Sequence, residues 1–206
     1  MSTFFIPAGV EWWVTSDTHF GHRRISELAG RPFDTSESTY HMDSTLVANH
    51  NRVVDEDDIV LHLGDLAMGN FDTSLGFAAQ LNGRKFLVAG NHDRFFSGWK
   101  RKNQQMTSRA RYEEAGFTLL DEIITVEIEG QATFIASHFP YSGDSHGEDR
   151  YTEKRPEDNG GLLIHGHTHS RYATQESMPR QFHVGVDAHN LFPVNGGTIL
   201  DWVSSQ

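Results

Sequence analysis

The sequence predicts an α/β sandwich in which two mixed β-sheets stack face to face and α-helices lie outside. Three observations carry that expectation. Short apolar runs recur along the chain, and each ends abruptly in a polar cluster, which suits strands buried on both faces. In the first half these runs alternate with stretches of helical spacing, as in βαβ units. In the second half the helices drop out, leaving a hairpin and single strands.

Taken in order, residues 12–15 lead into Ser16-Asp17-Thr18-His19. The stretch 36–54 sets Tyr40, Leu46, Val47 and Val54 among polar residues, with Asp34, Thr35 and Ser36 as candidate caps of a first helix. Residues 59–63 run into Gly64-Asp65. A second helix is expected over 72–81, closed by Asn82-Gly83. Residues 86–89 lead to Gly90-Asn91-His92-Asp93, and a third helix follows over 105–115, closed by Gly116. Residues 123–128 and 131–136, joined by Glu129-Gly130, form a hairpin pattern that delivers Ser137-His138. Residues 162–164 run into His165-Gly166-His167-Thr168-His169, and further strands are expected over 181–186 and 197–203. Ligands of open α/β sheets bind beyond the carboxyl ends of the strands, so five polar clusters at five such ends converge on one site.

Composition narrows the function classes. A chain of 206 residues fits one domain, read here as 1–206, and its hydrophobic fraction of 37% is low but clustered into runs. No run is long enough to span a bilayer, and the opening MSTFFIPAGVEWW lacks the basic region and apolar stretch of a leader. With no cysteine there are no disulfides or thiolate ligands, and the expected compartment is the cytoplasm. A net charge of −11 argues against extensive duplex nucleic-acid binding, which needs many Lys and Arg contacts to phosphate. A small phosphate-ester substrate, a nucleotide for example, remains compatible, because bound cations invert the local field.

The 13 histidines stand out, since most fall within the polar clusters. Two divalent cations roughly 3.5–4 Å apart need a bridging carboxylate, terminal His, Asp or Asn ligands, and open positions for water and substrate. The clusters hold that inventory: carboxylates at Asp17 and Asp65, an amide oxygen at Asn91, and imidazoles at His19, His138, His167 and His169. Mixed oxygen and imidazole donors suit Mn²⁺ first, with Fe, Zn, Ni or Co as alternatives, better than Mg or Ca.

Asp17-x-His19, Gly64-Asp65, Gly90-Asn91-His92-Asp93, His138 and Gly166-His167-x-His169 resemble, in order, the signature of the calcineurin-like metallophosphoesterases, and Ser16-Asp17-Thr18-His19-Phe20-Gly21-His22 looks like a small bacterial and phage-type branch. The resemblance implies Asp17, His19 and His169 on one metal, Asn91, His138 and His167 on the other, and Asp65 bridging both. It implies that His92 faces the substrate and protonates the leaving oxygen, with Asp93 orienting that imidazole. Many members carry a further Asp three residues after the bridging one, where this chain has Met68. That departure bears on support of the site and on substrate preference.

The remaining polar residues divide. His41, His50, His146, His183 and His189 belong to no motif and are read as structural or exposed; His62 is read as a hydrogen-bonded core histidine, and His165 as either core or support for the ligands. His22, with Arg23 and Arg24 at the start of a helix, is read as meeting substrate phosphate. Gly143-Asp144-Ser145-His146-Gly147 matches the nucleophile-elbow pattern but lies in a polar stretch, so it is rejected as a nucleophile; the segment 142–160 is expected to be a loop over the metals. Arg94, Lys100, Arg101, Lys102 and Arg109 form one basic patch, read as a solvated loop rather than a guide for anions. The resulting expectation is a dinuclear-metal phosphodiesterase of small diesters, 2′,3′-cyclic nucleotides among them. The alternatives are a phosphomonoesterase or nuclease on the same scaffold, or a non-catalytic binding scaffold.

Overall fold

The computed structural model describes residues 1–206. Two five-stranded sheets stack, as the sequence predicts. One contains β2 (Trp12–Thr15), β3 (Ile59–His62), β4 (Arg84–Leu87) and β5 (Phe117–Leu119) as parallel neighbours, with β10 (Val194–Asn195) antiparallel at the β2 edge. The other runs in the order β1 (Ser2–Ile6), β6 (Ile123–Ile128), β7 (Ala132–Ser137), β8 (Leu163–His165) and β9 (Gln181–His183). Its only antiparallel pair is the expected hairpin β6–β7, in register from Ile123 opposite Ser137 to Ile128 opposite Ala132.

Alternation along the strands builds two cores. Trp12, Val14, Ile59 and Leu61 from one sheet meet Ile124, Val126, Phe134, Ala136 and Ile164 from the other in the inter-sheet layer. A second core lies on the outer side of the parallel sheet, where α2 (Tyr40–Asn51), α3 (Phe71–Ala78) and α4 (Lys102–Glu114) contribute Met42, Leu46, Phe71, Leu75 and Tyr112. The short α1 (Ile25–Ala29) joins it through Ile25 and Ala29.

The element boundaries differ where local hydrogen bonds compete. The first expected helix begins at Tyr40, because Asp34 accepts from Ser36 N and Oγ and closes a turn of its own. Its N-cap, Thr39, makes no side-chain capping bond. The second starts one residue early under an unforeseen cap, Asn70 Oδ1 accepting from Thr73 N at 3.2 Å, and the third starts at Lys102. One element is of the wrong type. Residues 197–203, expected as a strand, lie in helix α5 (Gly196–Ser204), since Asn195 Oδ1 caps Gly197 N at 2.8 Å and Ile199 and Trp202, one turn apart, enter the inter-sheet core. Strands β1, β5 and β10 were not foreseen; the last two have three and two residues, too few for a periodicity signal.

Helix α2 is tied to the turn after α3 by His50 Nε2, which donates to Asn82 O at 3.0 Å. Burial holds this imidazole at about 4, below its ordinary 6.5. Between those values the unfolded chain takes up a proton that the folded chain refuses, so stability falls as the pH drops through that window. For chelator-treated protein, going from pH 7 to pH 5 should cost about 2 kcal/mol through this residue. Urea unfolding of the wild type and His50→Gln at both pH values checks it: the variant should lose that much less, and equal losses would show His50 protonated in the fold.

Candidate active site

The carboxyl ends of five strands meet at one edge of the sandwich. Asp17 and His19 follow β2, Asp65 follows β3, Asn91 and His92 follow β4, His138 follows β7, and His167 and His169 follow β8. The turns are locked together by backbone bonds: Asp17 N donates to Gly64 O and His19 N to Asp65 O, both at 3.0 Å, and Gly166 N donates to His138 O. Side-chain spheres leave no room for a Cβ at two points. One at Gly90 would lie 2.3 Å from Asp65 Oδ1, and one at Gly166 would lie 2.1 Å from Ser16 Oγ. Of eight non-glycine residues with positive φ, five are expected ligands: Asp17, His19, Asp65, His167 and His169. Such backbone is costly and persists where the surrounding structure enforces it, typically at functional sites.

Ligand-capable atoms of Asp17, His19 and His169 lie within 4.8 Å of one another, and so do those of Asp17, Asp65 and His138. Asp65 Oδ2 is 3.5 Å from both His19 Nε2 and His138 Nε2, so it is equidistant from one ring of each group, and Asn91 Oδ1 is 3.2 Å from His138 Nε2. The imidazoles are pre-oriented. His138 Nδ1 donates to Leu63 O at 2.8 Å and His169 Nδ1 donates to Asp187 Oδ2 at 2.7 Å, leaving each Nε2 lone pair free. His167 is turned the other way: its Nε2 donates to Asp144 Oδ2 at 2.9 Å, which leaves Nδ1 as the available donor atom.

These residues fit divalent cations. His19 is 1% exposed, yet neither ring nitrogen has a hydrogen-bond partner. Asp17 and Asp65 are buried side by side with no Lys or Arg side chain on either carboxylate, and burial pushes Asp17 above the usual carboxylate range. Buried anions so placed are costly unless matched by positive charge. The His, Asp and Asn donor set is one that divalent transition metals take.

Several expected residues sit elsewhere or do other work. Asp93, expected to orient the His92 ring, faces away from it. Its oxygens receive Asp65 N and Gly90 N at 2.8 Å, Tyr112 Oη at 3.1 Å and Leu66 N at 3.2 Å, so it holds the ligand turns rather than the imidazole. Burial, with Asp65 nearby, pushes its carboxyl up to about 7. His92 lines the cleft, 39% exposed, and its backbone N donates to Asp65 Oδ1 at 2.8 Å. His22 also faces the cleft, with Nδ1 unpartnered, but Arg23 is tied to Ser36 O and Glu37 O, and Arg24 lies on the surface beside Glu27. Neither arginine reaches the site, and α1, with five residues, offers no anion-binding terminus. His62 is the core histidine expected: Gly64 N donates to Nδ1, and Nε2 bonds Thr18 Oγ1 at 3.1 Å. His165 Nδ1 donates to Gly166 O, supporting the ligand turn through backbone. His183 is buried with both nitrogens unpartnered, Nε2 standing 4.0 Å from Asp17 Oδ2.

Three residues escaped the sequence. Arg31 is buried; it pairs with Asp187 at 2.7 Å and donates to Thr18 O and Asp17 O, bracing the first ligand turn against the partner of His169. Burial works to raise the Asp187 carboxyl, but His169 and Arg31 outweigh it and hold it at about 2. The rule that flagged the other clusters, an apolar run ending in a polar residue, would also have flagged Asp187 after 184–186. Asp144 lies inside the rejected elbow pattern, which drew attention to Ser145; here no strand precedes it and no helix follows. Its loop does border the site, since Ser145, His146 and Arg150 line the same cleft as His19, His92 and His169.

Arg31→Ala would leave Asp187 in the interior without its guanidinium, with the His169 ring as its remaining partner. Urea unfolding of the chelator-treated variant should show a loss of about 3–5 kcal/mol. A loss below about 1 kcal/mol would mean that the pair behaves like a surface ion pair.

Residues 11–202 match the calcineurin-like phosphoesterase superfamily domain. The chain belongs to that superfamily. It is 35% identical over 195 residues to the Gene 66 protein of Mycobacterium phage L5, covering 85% of this chain and 86% of the relative. It is 34% identical over 190 residues to the Gene 66 protein of Mycobacterium phage D29, covering 89% and 92%. A solved structure of a protein of unknown function from Aquifex aeolicus superposes with a TM-score of 0.64 at 24% identity, covering 93% of this chain and 98% of that one, which shows the shared fold. A calcineurin-like phosphoesterase is a phosphoric ester hydrolase, typically dependent on divalent metal, and the Asp and His clusters of this chain suit that requirement. No helix is long and apolar enough to cross a membrane.

Proposed function

We propose that this phosphoesterase, as a single domain over 1–206, hydrolyses small phosphodiesters, with 2′,3′-cyclic nucleotides among its substrates. Asp17, His19 and His169 would hold one divalent cation, Asn91, His138 and His167 a second, and Asp65 would bridge them, with Mn²⁺ the expected metal. When bound, such a pair supplies water ionised near neutral pH and charge neutralisation at the phosphoryl oxygens.

The observation that carries the diester reading is the scarcity of free cations in the cleft that holds the expected ligands. A monoester brings an extra negative charge. Of the basic groups expected to meet it, Arg23 and Arg24 point elsewhere, and burial, then His92, lowers His22 to about 4, so it stays neutral. Arg150, the only arginine lining the cleft, is already bound to Asp144 at 2.7 Å and 3.1 Å. A diester, with one charge, asks less of the protein.

In that reaction a water oxygen bonds to phosphorus as the water gives up a proton, and the bond to the leaving alkoxide breaks. A protonated His92 ring passes its proton to the departing oxygen, to be restored by the proton the water released. His92 is half-buried in the cleft wall, open enough to meet substrate, and Asp65 positions its backbone. The test compares kcat/KM for bis-nitrophenyl phosphate, nitrophenyl phosphate and 2′,3′- and 3′,5′-cyclic nucleotides in Mn²⁺. The diesters should be preferred; a clear preference for the monoester would overturn the diesterase reading and leave the metal ligands untouched.

A further inference from the structure

Adjoining the ligand cluster, a cavity of about 550 Å³ opens, with the expected ligand Asn91 and His92 both in its wall. That is the size of a small-molecule site. Its lining is unlike the rest of the protein. In a chain of net charge −11 it contains no Asp or Glu, and it contains Arg94, Lys100 and Arg101. None of the three makes an ion pair; Arg94 instead stacks its guanidinium over the Phe71 ring at 3.9 Å. The expected solvated loop thus forms the wall of a cavity.

Aromatic rings supply the other character of this lining: Phe96, Trp99 and Tyr151. The Trp99 indole nitrogen is buried and has no acceptor, a state that buried donors seldom keep. Tyr151 is held at φ 55°, a conformation unfavourable for a tyrosine, with its ring packed on Phe96 and Phe139. Met68, from the turn after Asp65, adds an apolar side chain where a carboxylate would have repelled an anion.

We propose that this cavity seats the leaving group of the diester, and that the leaving group is a nucleoside carrying a phosphate of its own. Because His92 lines both the ligand cleft and this cavity, a group departing past His92 has the cavity open to it. A base has a planar face to lay on the Trp99 indole. The additional phosphate meets Lys100, Arg101 and Arg94, which have no other anion to neutralise. The proposal rests on the diesterase reading, and it adds which arm of the diester is recognised.

The test uses dinucleotides that share one scissile diester and differ only in a terminal phosphate, placed in turn at the 5′ and the 3′ end so that both directions of scission are covered. The wild type should prefer the form with the phosphate on the leaving nucleoside by roughly tenfold or more in kcat/KM, the worth of a charge-assisted contact. Lys100→Ala/Arg101→Ala should abolish that preference, and Trp99→Ala should raise KM for both dinucleotides. A wild type indifferent to the terminal phosphate, or a double variant equally slow on every substrate, would overturn the assignment. Calorimetric binding of adenosine 3′,5′-bisphosphate to the Mn²⁺-loaded full chain gives a readout apart from turnover. It should weaken roughly tenfold in the double variant, and unchanged binding would count against the cavity. If the enzyme proved a monoesterase while this binding difference held, the diesterase reading would fail and the nucleotide site would stand.

Discussion

Replacing His92 by glutamine should leave the metal content unchanged and slow hydrolysis of an alkyl diester by roughly 10²–10⁴-fold, the usual worth of a positioned acid or base. The side chain lines both the ligand cleft and the adjoining cavity. Its contact with a carboxylate is loose, Nε2 to Asp65 Oδ2 at 4.0 Å, and its backbone N is anchored independently to Asp65 Oδ1. Removing the imidazole therefore takes away a proton donor without taking away the anchor of the turn. The leaving group decides the outcome. An alkoxide needs the proton and should show the full loss, whereas nitrophenolate departs without it and should show little. Rates for both classes, with metal analysis of the same preparations, separate the roles. An equal loss on both would mean that His92 stabilises charge on the phosphoryl group, and a lost metal would make it a ligand.

What could be read in the sequence was what strand polarity controls. Each ligand directly follows a short apolar run, and because the runs after β2, β3 and β4 are parallel neighbours, their polar ends had to meet on one edge. Positions fixed by side-chain reach could not be read the same way. Asp93 follows His92 in sequence, yet its carboxylate turns back to four donors that include two backbone N–H groups after β3. Arg31 and Asp187 are 156 residues apart and pair only once both turns are folded, while Arg23 and Arg24, close to His22 in sequence, are directed to Glu37 and Glu27. Helix α5 was misread because its apolar residues form a run as short as a strand; the cap at Asn195 was the local signal of a helix. Arg94, Lys100 and Arg101 showed their charge in the sequence but not that they share a cavity wall with Tyr151, which comes from a distant loop.

The largest loss is expected at Asp65. Its side chain does two jobs: Oδ2 lies 3.5 Å from both His19 Nε2 and His138 Nε2, and Oδ1 accepts the His92 backbone N. Asp65→Ala removes both, so it should bring metal content toward one ion or none and cut activity by roughly 10³-fold or more, beyond the cost of a single catalytic hydrogen bond. Asp65→Asn separates the jobs. The amide keeps the shape and, with its oxygen toward His92 N, the anchor, but lacks the charge that two cations share. Mn²⁺ should stabilise the wild type and add little to the asparagine variant, since a ligand raises stability only through the folded state that binds it. Urea unfolding with and without metal, alongside metal content and bis-nitrophenyl phosphate hydrolysis, measures each part. An Asp65→Asn protein that binds two ions and gains as much stability from Mn²⁺ as the wild type would show that Asp65 does not bridge, and a fully active, metal-loaded Asp65→Ala protein would end the two-metal reading altogether.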